Sequence, residues 1–291
     1  MKQKTINKED FKILLPYKTL AGHIKLGKYK FLNCLPVNLP MEVIPESLIE
    51  SHFGTPELLN HMLIENKIMA GPISTFEYLK YREKFCLISD ISISSRQKVG
   101  SVILFSHFCF EDLAKKNIAV AFTSSTSVKL LQILINSISG ERARLTVHYY
   151  EHSVEDYLQT YDGVLFIGDP ALLSAWRLRE QNKIFAYDLA ELWYTLTGLP
   201  AVFGVWVANK SWAENNPEEF TYICNTLIKA KNMGLVSCYG DVLLRAVKLS
   251  GLPETLLNHY YKQQLSYELS ANHLEAIDKY YCQLKKNNLI Y

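Results

Sequence analysis

The run TSSTS, Thr123 to Ser127, sets hydroxyl side chains where an apolar stretch, NIAVAF, gives way to a helical pattern. The first amides of a helix lack intrahelical partners and sit at the positive end of its dipole. Hydroxyls beside them form a site for a carboxylate or phosphate. An ordinary N-cap needs a single Ser or Thr, and Ser124, Ser125, Thr126 and Ser127 together exceed that need. GPISTFEYLK has the same shape, with Ser74 and Thr75 between an apolar run and a helix, and here a plain cap accounts for them as well. In SSRQKVGS, Ser94, Ser95, Arg96 and Lys98 are polar, Gly100 permits close backbone approach, and Ser101 opens a further apolar run. Arg96 and Lys98 read as solvated loop charges, either of which could help draw in an anion. Asp169 in IGDPAL reads as a cap for a helix starting at Pro170, or as an acid–base carboxylate. Asn33 in KFLNCLPV is a lone amide in apolar company, with Pro36 three residues on. It either forms a turn or is held at a strand end to touch a ligand, because an unpaired amide in an apolar site is costly.

What the chain lacks narrows the chemistry. It has no GxGxxG, P-loop, GxSxG or HExxH pattern and no paired metal-ligand spacing. The 8 histidines are dispersed, and none stands beside a Ser or Cys in a nucleophile pattern. The 6 cysteines are scattered without a CxxC, and His107 with Cys109 falls far short of a metal signature. Cofactor chemistry, metal-dependent hydrolysis and acyl transfer are therefore disfavoured. The residues point to a hydroxyl-rich site for a small anion, with no cofactor and no metal.

The elements that must carry these residues alternate. Short apolar runs read as strands: YKFL, KIMAGPI, SVILFS, NIAVAF, LTVHYY, GVLFIG and VFGVWVA. Between them, TPELLNHMLIENK has a Thr55 cap, Pro56 at the first helical position and Leu58, Leu59, Met62 and Leu63 at helical spacing. STSVKLLQILINSISG is expected to bury Val128, Leu131, Leu134, Ile135 and Ile138 and to stop at Gly140. NPEEFTYICNTLIKAKNMG has Asn216 as cap and Gly234 as stop, and everything beyond about residue 210 reads as helix. WYTLTGLPAVFGVWV joins Trp193 and a Thr197–Pro200 turn to a buried strand. The alternation predicts a mostly parallel α/β sheet, in which ligands sit beyond the carboxyl ends of the strands. Asn33, Ser74–Thr75, Thr123–Ser127 and Gly168–Asp169 all follow such ends.

With 291 residues the chain is one large or two medium domains. A hydrophobic content of 48% and a net charge of +2 fit a globular protein and give no electrostatic case for nucleic acid or a membrane as partner. No stretch approaches the roughly 20 apolar residues of a membrane span. The polar N-terminal stretch lacks a signal-peptide core, and most cysteines sit in apolar surroundings as reduced residues, so a cytoplasmic protein is expected.

GKYKFLNCLPV, AGPISTFEYLK, VGSVILFS, TSSTSVKLLQILI, LFIGDPAL and LWYTLTGLPAVFGVWVA, in this order, resemble the chorismate dehydratases of the futalosine route to menaquinone. The resemblance runs from about residue 22 to the end. It implies an α/β, two-lobed fold like the type 2 periplasmic binding proteins, with a central cleft and a helical C-terminus. Residues 1–104 and 204–291 would form a discontinuous first lobe and 105–203 the second. It implies loss of water from chorismate to give 3-[(1-carboxyvinyl)oxy]benzoate, without cofactor or metal. The ring carbon bearing the ether loses a proton, its neighbour loses hydroxide, and aromatisation drives the step. The substrate's own side-chain carboxylate is a candidate proton acceptor. Matched motif to motif, Asn33 and Ser101 are the expected catalytic pair. Ser74, Thr75, Ser95, Gly100, Ser124, Ser125, Thr126, Ser127 and Asp169 are the expected substrate contacts. Gln97 stands where many relatives have glycine, which puts the contacts of that loop in doubt. Competing readings are the sister 1,4-dihydroxy-6-naphthoate synthase, which should present a histidine base, and a non-catalytic small-anion binding protein. The oligomeric state is not legible.

Overall fold

In the computed structural model, residues 23–45, 47–121, 125–148, 152–181 and 183–291 are described. The chain opens with β1 (Ile24–Lys28), a 3-10 turn (Leu32–Cys34), α1 (Leu35–Asn38), β2 (Ile49–Phe53), α2 (Pro56–Ile64), β3 (Ala70–Ser74), α3 (Thr75–Lys80) and β4 (Phe85–Ser95). Then come β5 (Val102–Ser106), β6 (Asn117–Ala121), α4 (Ser125–Ser139), β7 (Arg144–His148), α5 (Val154–Tyr157), β8 (Gly163–Ile167), α6 (Asp169–Leu178), β9 (Phe185–Asp188) and α7 (Leu189–Thr197). β10 (Val202–Asn209) leads into α8 (Lys210–Asn215), α9 (Pro217–Leu235), α10 (Tyr239–Ser250), α11 (Glu254–His259), a π-turn (Tyr260–Gln264), β11 (Leu265–Ser266) and α12 (Ala271–Lys286).

Contacts divide the chain into two compact units. Unit 1 holds residues through Ile93, Gly204–Asn258 and Tyr267–Leu269, and unit 2 holds Ser94–Phe203, His259–Ser266 and Ser270–Tyr291. The expected division put 94–104 and 259–291 in the first lobe; by contacts all of 94–104, and all of 259–291 except Tyr267–Leu269, group with unit 2. The reason lies in packing. The Tyr280 hydroxyl of α12 donates to the Thr126 carbonyl of α4 at 3.0 Å, and the Tyr280 ring meets Trp193 edge-on. β11 pairs with Ser94 and Ser95.

In unit 1, β1 pairs in parallel with β2 and with β3, and β10 runs antiparallel to β3. Ile24, Leu26, Ile49, Leu59, Leu63, Ile73 and Val205 are buried around these strands. In unit 2 the order is β7-β6-β8-β5-β9, with β6 parallel to β7 and β8, and β5 antiparallel to β8 and β9. Its core gathers Ile103, Phe105, Val154, Tyr157, Val164, Phe166, Ala171 and Leu178, with Phe105 and Phe166 meeting edge to face.

The sheets are mixed rather than mostly parallel, because β5 runs antiparallel to β8 and β9, and β10 antiparallel to β3. YKFL is not a strand: β1 is IKLGK, and the chain turns after it, since Asn33 and Pro36 both disfavour strand pairing. IESHF and FCLISDISISS are strands that the apolar-run criterion passed over, their side chains alternating or half-exposed. In α2, Thr55 caps as expected but Leu58 is 48% exposed. In α4, Leu131, Leu134 and Ile135 are buried, Val128 only partly, and Ile138 is 47% exposed, while Gly140 takes a φ of +72° just past the end. Gly234 does not stop α9, which runs on to Leu235. It is a glycine because a Cβ there would lie 1.8 Å from the Pro36 carbonyl oxygen. The cap of α6 is Gly168 at φ 69°, ψ −145°, a conformation suited to glycine, so Asp169 becomes the first helical residue. Cys34 and Cys238 are buried, but Cys109 and Cys282 are exposed.

Candidate functional site

The edge of unit 1 where β1 and β3 end is built from local sequence. After Lys28 the chain coils through Leu32–Cys34 into α1, with Leu32 and Cys34 buried and Asn33 half-buried between them. Three contacts hold this corner. The Tyr267 hydroxyl donates to the Asn33 carbonyl at 2.7 Å, Asn38 Nδ2 donates to the Tyr29 carbonyl at 2.7 Å, and α9 seats against Pro36 at Gly234. The backbone of Asn33 is thus pinned, yet its side-chain Oδ1 is buried without a hydrogen-bond partner. A buried polar atom left so is costly in a fold, and such groups in native proteins call for an explanation. β3 is parallel to β1, so its carboxyl end lies at the same edge. There Ser74 Oγ accepts from the Glu77 amide at 3.3 Å, capping α3, and Thr75 is fully buried. Lys28 ends β1 at 5% exposure, and its ammonium and that of Lys30 both lie over the Phe53 ring, at 5.9 and 5.6 Å. Burial pushes the Lys28 pKa down to about 8, against the opposing pull of the Glu42 carboxylate.

One edge of unit 2 collects the other candidates. Antiparallel pairing sets the start of β5, at Ser101–Val102, beside the end of β8, since Val102 pairs with Ile167. The ends of β6 and β9 come to the same edge, because β6 is parallel to β8 and β9 antiparallel to β5. Ser101, Gly168–Asp169 and the start of α4 therefore share it. Ser101 is 2% exposed, its carbonyl accepts from the Gly168 amide at 2.7 Å, and its Oγ accepts from the Tyr260 hydroxyl at 2.9 Å. Asp188 Oδ2 accepts from the amides of Val99 and Gly100 at 2.9 and 2.7 Å, and Oδ1 from those of Ala190 and Glu191 at 2.9 and 3.3 Å. One carboxylate thereby caps α7 and pins the loop before Ser101; burial pushes its pKa above the ordinary value and the amide bonds oppose that shift. Ser95 Oγ accepts from the Ala201 amide at 3.0 Å and so braces the same loop from its far end. Gly100 has φ +69°, and the Gln264 carboxamide lies where a Cβ would stand, with Oε1 at 2.3 Å from that position. Ser125 is half-buried at the start of α4, with Thr126 and Ser127 buried behind it. Ser124 and Thr123 lie outside the described residues. Asp169 is half-buried in the first turn of α6. Lys98 is paired with Glu191 at 3.0 Å in the exposed loop. His107 follows β5 at its opposite end from Ser101, with Nδ1 at 3.1 Å from the Lys183 carbonyl.

A family model for menaquinone biosynthesis matches residues 24–286. The chain belongs to the menaquinone biosynthesis family. Within and around this family, it is 30% identical over 249 residues to the chorismate dehydratase of Thermus thermophilus, covering 81% of this chain and 86% of that one. The fold is that of periplasmic binding proteins. A crystal structure of an Archaeoglobus fulgidus protein matches with TM-score 0.73 and 16% identity, covering 92% of this chain and 98% of that one. The periplasmic aliphatic sulphonate binding protein of Escherichia coli matches with TM-score 0.65 and 16% identity, covering 93% and 94%.

Tyr260, Tyr267, Asp188 and Lys28 went unread in the sequence. Asp188 had a signal, because Glu191 three residues on gives the Asp-x-x-Glu spacing of a helix start. Lys28 ends a strand, IKLGK, that also carries Lys25, and nothing in the sequence separates the two. Nothing local marks Tyr260 or Tyr267, whose partners are 159 and 234 residues away in sequence.

Proposed function

We propose that this protein removes water from chorismate to form 3-[(1-carboxyvinyl)oxy]benzoate on the futalosine route to menaquinone. The observation that carries this reading is the 30% identity to a chorismate dehydratase across most of both chains. The chemistry asks for little machinery. The electron pair of the ring C–H bond beside the ether becomes a ring double bond, the neighbouring C–O bond breaks, and the departing hydroxide and the proton account for the water. Aromatisation supplies the driving force. The protein's part is to orient the ring, stabilise the leaving hydroxyl and exclude water. In this reading Asn33 holds the leaving group with its carboxamide, whose Oδ1 is otherwise without a partner, and Ser101 orients the reacting edge of the ring or relays a proton. The hydroxyls of Ser74 and Thr75, the amides and hydroxyls of Ser124 to Ser127, Gly100 and Asp169 contact the substrate around its two carboxylates, and Ser95 supports the Gly100 loop. A cytoplasmic setting is part of this reading.

The test is incubation of the purified protein with chorismate, without added metal or cofactor, followed by chromatography. Accumulation of the enolpyruvyl benzoate is expected. Binding of chorismate without turnover would replace this reading with that of an anion-binding protein, and no response to chorismate would favour the naphthoate synthase.

A further inference from the structure

The turn Tyr260–Gln264 has the π-helical spacing of backbone bonds, a rare local structure that recurs at functional sites. It closes on the corner that carries Ser101. The Arg96 amide donates to the Gln264 carbonyl at 2.9 Å, the Gln264 carboxamide covers Gly100, and Gln264 Oε1 is buried without a hydrogen-bond partner. At the other end of the turn Tyr260, 1% exposed, gives its hydroxyl proton to Ser101 Oγ at 2.9 Å.

That direction of donation matters. A serine hydroxyl has one proton to give and can accept in return. With Tyr260 donating to it, the proton of Ser101 points elsewhere, and the Val99 carbonyl at 3.5 Å is at the outer limit of a hydrogen bond. We propose that Tyr260 is a positioning residue for the dehydration: its hydroxyl holds Ser101 Oγ as an acceptor and so aims the serine proton at the substrate. This rests on the reading of Ser101 as a catalytic residue. The π-turn is then a third component of the site, supplied by a short segment between α11 and β11 that no motif marks.

Tyr260→Phe keeps the ring and removes the donor. Its kcat should fall roughly tenfold to a hundredfold, the scale of one hydrogen bond at a reacting group, with KM within about twofold of the parent. A Tyr260→Phe protein with parental kcat would overturn the proposal. So would one that fails to fold, or whose KM rises in step with the fall in kcat, because the phenol would then be holding the fold or the substrate rather than the serine. Ser101→Ala, assayed alongside, separates this from the reading beneath it. If that variant keeps full activity, the role of Ser101 itself is wrong; if it is inactive and Tyr260→Phe is not impaired, only the positioning claim fails.

Discussion

Asn33 has a buried acceptor that the fold itself does not use. An orphaned buried acceptor costs about 1–3 kcal/mol, so a chain selected for stability alone would have removed it. Asn33→Ala should therefore leave the melting temperature unchanged or slightly higher, while lowering kcat on chorismate by about two to three orders of magnitude, the usual cost of losing one such donor or acceptor. Thermal unfolding and steady-state kinetics on the same preparation check both halves. A stable variant with parental activity would remove Asn33 from the mechanism. The residue was legible in the sequence as an anomaly, an amide among apolar neighbours beside a proline. Turn and ligand contact looked like alternatives there. The structure shows the turn, a 3-10 turn in which Asn33 is half-buried, and contact with a ligand belongs to the proposed function.

At the scale of elements, the corner bearing Asn33 depends on a helix some 200 residues further along the chain. α9 approaches α1 so closely that only a glycine at 234 clears the Pro36 carbonyl. Gly234→Ala should force the two apart, lowering stability by about 1–3 kcal/mol as overpacking does, and reducing turnover because Pro36 and Asn33 share one short segment. A denaturant melt that overlays the parent's would show that the contact yields without cost. The sequence presented this glycine as a helix stop, the ordinary meaning of Gly near a helix end. Gly140, in the corresponding position after α4, does have that meaning. Local pattern cannot separate the two cases, because the deciding atom belongs to a residue far away in sequence. Gly168 shows the same limit on a smaller scale: Asp-Pro looked like cap and first turn, and the cap moved back one residue to the position whose backbone angles suit glycine.

For the molecule as a whole, Lys28 ties stability to pH. Its folded pKa is depressed from 10.5 to about 8, so between these values the unfolded chain keeps a proton that the folded chain has released. Stability contributed through this residue is therefore poorest below about pH 8 and recovers as pH rises toward 10.5. The free-energy gap between parent and Lys28→Met, read from urea melts, should change by about 1 kcal/mol in the parent's favour between pH 7 and pH 9. A gap independent of pH would show that Lys28 is not desolvated in the folded protein. The amino-acid order by itself determined the α/β class, most strands and helices, the hydroxyl-rich strand ends and the family, because periodicity, caps and motifs act within a few residues. Only the tertiary structure decided the mixed strand directions, the grouping of α12 with unit 2, and the partners of the key side chains. Tyr260 on Ser101, Tyr267 on Asn33, Asp188 on Gly100 and Gly234 against Pro36 all join residues at least 88 positions apart. Such contacts exist once burial of the cores has brought the chain back on itself, and no local propensity encodes them.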